Sequence, residues 1–341
     1  MAQTSAALLN DPEWLAHRLV EGTDAARFVR VPRARHGATP FLTDADLGAT
    51  EIGGDVALHD CLALPGDATL GLLFHSAFCG STMLVRALDR PGAAMGLSEP
   101  VILNDVVGMR RRGADPRAVA RAADAATRLL ARPFGAGEAV IVKPSNVINP
   151  LAELLLALRP QARGLFLYAP LETFLISVAR KGLWCRLWVR ELLEGQLRDG
   201  FIQLGFTPED LFRQTDLQVA ATGWLAQHLH FARLAEKLGP QRLRSLDADR
   251  MTARPAEAVA AAAAQFGLTL DAGAVAEIAS GPAFTRHSKS GAAFTPEDRR
   301  AEYAQARAAY GDEIDKVLEW AKAVADSAGA AMEGPFPLLQ A

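Results

Sequence analysis

The chain has 341 residues, half of them hydrophobic and 22% charged, and a formal net charge of -3. Such a composition supplies a large core and argues against wholesale disorder. Its slightly acidic balance gives no electrostatic case for nucleic acid, whose partners present a basic face.

In chain order, residues 11–20 read as a short helix, with Pro12 in its first turn and Trp14, Leu15 and Leu19 on one side. Short extended pieces at 28–31 and 56–58 follow, broken by Pro, Gly and Asp. Residues 1–68 are expected to form an N-terminal extension packed on the core, without a readable motif. From there strands and helices alternate. Residues 71–75 predict a strand, 81–90 a helix, 115–131 a helix with Pro116 in its first turn, and 138–143 a short apolar strand buried on both faces. Next come a helix at 150–158, a strand at 164–168, a helix at 171–182, a helical region over 208–238, a strand at 243–246 and an Ala-rich helix at 255–266. The 69–295 core then gives way to a helical tail over 296–341. Strands separated by helices of this length predict an α/β chain of right-handed βαβ units, a doubly wound, mainly parallel central sheet flanked by helices. Ligands in such sheets sit beyond the carboxyl ends of the strands, here His75, Lys143 and Ala169.

The most telling stretch lies at the first of those ends. The apolar run 70–74 is followed by a turn of small residues, and Gly80-Ser81-Thr82 opens an amphipathic segment with Met83, Leu84, Ala87 and Leu88. Strand, loop and helix in that order make a phosphate-binding loop, with backbone N–H groups and a helix N-terminus facing an anion. Ser76, Cys79, Gly80, Ser81 and Thr82 are the candidate contacts. A nucleoside triphosphate loop carries G-x-x-x-x-G-K-[ST], and no lysine precedes Ser81. The simpler alternative is a strand-to-helix turn whose Ser and Thr cap the helix.

The stretch 77–84, Ala-Phe-Cys-Gly-Ser-Thr-Met-Leu, resembles the phosphosulfate loop of the PAPS-dependent sulfotransferases. Three further pieces occur in that family's order. Leu97-Ser98-Glu99-Pro100 resembles its Glu-Pro motif. Residues 168–180 resemble the strand and helix start that hold the donor's 3′-phosphate. Residues 243–251, with Pro255 and Gln265-Phe266-Gly267-Leu268, resemble its later strand and helix signature. The resemblance spans residues 70–295 and implies a three-layer α/β P-loop fold with a mainly parallel central sheet flanked by helices, PAPS as co-substrate, no metal, and transfer of a sulfuryl group to the hydroxyl or amine of a small-molecule acceptor. It also implies site residues. Glu99 is the first choice of general base and His75 the second, with Lys143 positioned to contact phosphosulfate or acceptor. Ser177 and Arg180, one helical turn apart, fall at the 3′-phosphate. Arg286, Lys289 and Gly291 lie in a basic segment that resembles the family's closing loop.

Two departures stand out. Phe78 occupies the place, or nearly so, where the family's loop carries Lys or Arg, and Tyr168 or Ala169 the place of an Arg. His75, Lys143 or Arg180 could supply the missing charge. The alternative is a non-catalytic or kinase-like P-loop relative that binds a nucleotide or a phosphorylated ligand.

The remaining features are less specific. Arg110-Arg111-Arg112 reads as a solvated helix end, with an anionic ligand or partner as the other possibility. Cys61, Cys79 and Cys185 match neither a disulfide framework nor zinc spacing. No run reaches the ~18 apolar residues of a membrane span, and the first residues lack a signal peptide's basic start. The expectation is a cytoplasmic protein with no nucleic-acid or membrane partner.

Overall fold

A computed structural model describes residues 3–66, 69–285 and 296–340. The N-terminal part is a three-stranded antiparallel sheet of β1 (Trp14–Leu19), β2 (Ala25–Arg30) and β3 (Ile52–Ala57), in that order. The helix expected over 11–20 is therefore a strand. Its apolar residues satisfied a helical spacing only partly, and pairing with β2 from Trp14↔Arg30 to Leu19↔Ala26 overrides that weak local preference.

The core is a second sheet whose five strands are all parallel: β4 (Leu70–His75), β5 (Ala94–Ser98), β6 (Ala139–Lys143), β7 (Arg163–Tyr168) and β8 (Leu243–Asp247), in the order β5-β6-β4-β7-β8. Every residue of β4, β5 and β6 is buried, as expected for strands covered on both faces. The chain is thus an α/β protein with a parallel central sheet and flanking helices. The helices that position the site are α1 (Ser81–Leu88), α2 (Val101–Arg111), α3 (Pro116–Leu130), α4 (Leu171–Arg180), α5 (Gly182–Arg198), α6 (Asp216–Leu238), α7 (Pro255–Phe266) and α8 (Pro296–Ala328). Gly71 in β4 lets α7 pack close, since a Cβ there would meet Phe266 Cδ1 at 2.5 Å.

Local chemistry sets several helix ends. Asp115 caps α3 by accepting the N–H groups of Arg117 and Ala118, ahead of Pro116. The helical region over 208–238 is two helices, because Thr215 and Gln218 form a capping box that starts α6 afresh. The short helix before it, Pro208–Arg213, has its own box from Thr207 and Asp210. Strand β5, only five residues with a glycine at its centre, went unread in the sequence, and of helix α2 only the basic end at 110–112 was read.

The N-terminal sheet is fastened to the core by arginines. Arg18 forks onto both oxygens of Asp105 in α2 at 2.9 and 2.8 Å. Arg132 donates to the carbonyls of Leu8 at 2.7 Å and Trp14 at 2.6 Å, and Arg33 reaches Glu138 at 2.6 Å. Apolar residues of both sheets form one continuous core. Among the described residues, no helix is long and apolar enough to cross a membrane.

Candidate functional site

The carboxyl ends of β4, β5 and β6 lie side by side, and the ladder sets Ser98 of β5 opposite Lys143 of β6. The three candidate catalytic residues meet there. Lys143 Nζ donates to Glu99 Oε1 at 2.5 Å, and His75 Nε2 lies 3.4 Å from Lys143 Nζ and 3.8 Å from Glu99 Oε1. Lys143 is fully buried and its ammonium also stands over the ring of Phe41, 5.3 Å from the centroid. Glu99 is in the left-handed region (φ 49°) and its N–H donates to the Lys143 carbonyl at 2.6 Å. Among the described residues, Glu99 Oε2 makes no hydrogen bond, and the side chain is one-fifth exposed.

His75 has a different task. The Ala77 N–H donates to its Nδ1 at 3.1 Å, so the ring proton sits on Nε2, which donates to the Pro144 carbonyl at 3.0 Å. Both nitrogens thereby hold backbone, one of them the loop itself. Asn149 Nδ2 donates to the His75 carbonyl at 3.1 Å and to Gln227 Oε1 at 2.8 Å, tying the end of β4 to α6.

The loop between β4 and α1 is wound tightly. Ala77 and Phe78 take φ of 73° and 52°, and Gly80 takes 76°. Only the glycine does so without steric cost. Ser76 braces the turn: its N–H donates to the Leu167 carbonyl at 3.1 Å, and its hydroxyl accepts the Ala169 N–H at 3.2 Å. Ser76 is thus committed to joining β4 and β7. Cys79 is buried, and burial pushes its thiol pKa up, keeping it a neutral thiol. Ser81 and Thr82 open α1, and Gly80 provides no side-chain cap. The first turn of an eight-residue helix therefore begins directly at the loop, the arrangement that receives an anion.

Phe78 points away into an aromatic cluster, 5.9 Å from Phe174 and 5.4 Å from Trp188 between ring centroids. The Lys181 ammonium stands 4.9 Å from the centre of the Phe78 ring. Sequence reading passed over this cation, naming its neighbour Arg180 as the substitute for the missing charge instead. Phe41, Asn149 and Gln227 were missed as well; only the fold brings them to the strand ends.

The 3′-phosphate candidates are less assembled. Ser177 is buried. Arg180 Nη1 is paired with Glu302 of α8 at 2.5 Å. No cation stands at 168–169: Tyr168 is buried, burial pushing its pKa up to about 12, and the Ala169 carbonyl accepts from Trp224 Nε1 at 2.9 Å. Arg286, Lys289 and Gly291 lie outside the described residues. Asp247, the acidic residue that ends β8, accepts the N–H groups of Asp249 and Arg250 as a helix cap. Among the described residues, no group of three His, Cys, Asp or Glu could hold a metal ion.

No protein-family model and no curated protein sequence matches the chain. Some solved structures do. The chain is similar to the sulfotransferase domain from the curacin biosynthetic pathway, at 12% identity and TM-score 0.41, over 72% of this chain and 97% of that one. It is similar to sulfotransferase STF9 from Mycobacterium avium, at 13% identity and TM-score 0.42, over 74% and 79%. For sulfotransferase STF1 from Mycobacterium tuberculosis H37Rv the figures are 14%, 0.40, 72% and 79%. Overlap this loose transfers no activity, so the residues must carry one themselves.

Proposed function

We propose that the chain is a sulfotransferase that takes the sulfuryl group of PAPS and passes it to a hydroxyl or amine of a small-molecule acceptor. One observation carries the reading: an anion-receptive loop and helix N-terminus beside the buried Lys143 and its partner Glu99 at the carboxyl edge of the sheet. The donor fits this edge in part. Its phosphosulfate matches the loop at 78–82, while its 3′-phosphate depends on Ser177 and on Arg180, which must exchange Glu302 for the ligand.

Bound there, the donor would supply an activated sulfuryl group. The chain holds phosphate oxygens on the loop N–H groups and the Ser81 and Thr82 hydroxyls, where the helix dipole adds to the attraction. Lys143 holds Glu99 by Oε1 and leaves Oε2 to take the acceptor's proton. His75 keeps Ala77 in its left-handed turn, a positioning role.

Calorimetry with PAP, using ATP and AMP as controls, tests the reading. Micromolar PAP binding that ATP does not share is expected. The Glu99→Gln variant should keep that affinity and lose about 10²–10⁴-fold in turnover against an acceptor panel. Absence of PAP binding would overturn the proposal. PAP binding with no transfer to any acceptor would favour the non-catalytic binding protein instead.

A further inference from the structure

The basic run at 110–112 is divided by the fold. Arg111 pairs with the buried Asp199 at 2.6 Å, and Arg112 approaches Glu21 at 3.9 Å. Arg110 faces a cleft of about 360 Å³ between α2, the end of α5 and the outer part of α6. That volume suits a small ligand, whose sites run to roughly 300–1,000 Å³. None of the lining residues belongs to the 75–82 loop, so the cleft is separate from the site above.

Its charge is uneven. The Arg110 guanidinium donates only to carbonyls, Asp199 at 2.9 Å and Pro150 at 3.5 Å. Arg233 donates only to Gln203 Oε1 at 2.6 Å. Neither is ion-paired among the described residues. Lys237 lines the same wall and is neutralised by Glu153, and the Asp199 carboxylate is spent on Arg111. Two uncompensated guanidinium groups therefore face one cleft in a chain of net negative charge. His230 adds a buried Nε2 with no hydrogen-bond partner among the described residues. Burial pushes its pKa down to about 4, which keeps the ring neutral. Phe201, Leu229 and Leu234 provide an apolar wall.

We propose that this cleft binds a small organic oxyanion, a carboxylate or phosphate monoester on an apolar stem, with its head between Arg110 and Arg233. Arginine suits such heads because its planar fork matches two oxygens at once. Phenyl phosphate and phenylacetate, titrated calorimetrically into the full chain with benzyl alcohol as the neutral control, separate the two head groups. At least one anion should bind with a Kd below about 1 mM, weaken as salt is added, and lose roughly tenfold or more in Arg233→Gln. Arg233 is exposed, so that variant should leave the fold intact. Arg110→Gln should show the same loss, with an unchanged melting temperature ruling out collapse of the carbonyl contacts. Absence of anion binding, or equal affinity in wild type and both variants, overturns the site. The second result would place the probe elsewhere, the 75–82 loop included.

Discussion

Ala77 and Phe78 occupy backbone conformations that L side chains avoid, at roughly 1–2 kcal/mol each. The cost is met by identifiable contacts: the His75 ring beneath the Ala77 N–H, the Ser76 hydroxyl on β7, and the aromatic packing of the Phe78 ring. Strain of this kind belongs to the residue and can be relieved one residue at a time. Ala77→Gly removes a small side chain and frees the turn, so it should raise stability by about 1 kcal/mol in urea unfolding. A destabilised variant would show that the loop stores no strain at this position.

Among the elements, β8 forms one of the two edges of the five-stranded sheet, the other being β5. The segment after α8 covers its open side. The Leu338 N–H donates to the Ser245 carbonyl at 2.8 Å, Arg244 Nη2 to Pro337 at 2.8 Å and Arg250 Nη1 to Leu339 at 3.1 Å. An uncovered edge strand is a template for pairing with other chains. Removing residues 331–341 breaks these three hydrogen bonds and four more among the described residues; at about 1 kcal/mol each it should cost several kcal/mol and promote self-association. Urea unfolding and light scattering read the two effects; a stable monomeric truncation would mean that the cover is dispensable.

The whole molecule carries a pH liability. Burial pushes His36 and His230 down to about 4 and His228, stacked 3.5 Å from Trp224, down to about 3. Unfolded, each titrates near 6.5. Between those values the unfolded chain binds protons that the folded chain refuses, so stability falls as pH drops from about 6.5 towards 4. Each group steepens the slope by up to ~1.4 kcal/mol per pH unit. His36→Leu should flatten the dependence in that window while changing stability little above pH 7. An unaltered slope, measured from urea midpoints across the range, would remove His36 as a contributor.

Much of this was legible before folding was considered. The runs in β4 and β6, the capped α3, the Pro255–Phe266 helix and the Gly80-Ser81-Thr82 loop announce themselves by short-range physics: apolar periodicity, cap chemistry and turn residues act within a few positions of chain. Lys143 and His75 could be singled out as strand-end residues and Glu99 by its Leu-Ser-Glu-Pro motif, but their contact could not be read. It depends on β5, β6 and β4 standing in that order, and strand order follows from packing between distant segments. The same reason explains the misread strand at 14–19, which takes its conformation from β2, and Lys181, placed on the Phe78 ring by a helix junction. Local sequence determined most elements of the core and the anion-receptive loop. The tertiary structure alone decided which charges meet there, because a fully buried ammonium such as that of Lys143 persists only where the fold brings it a partner from a distant part of the chain.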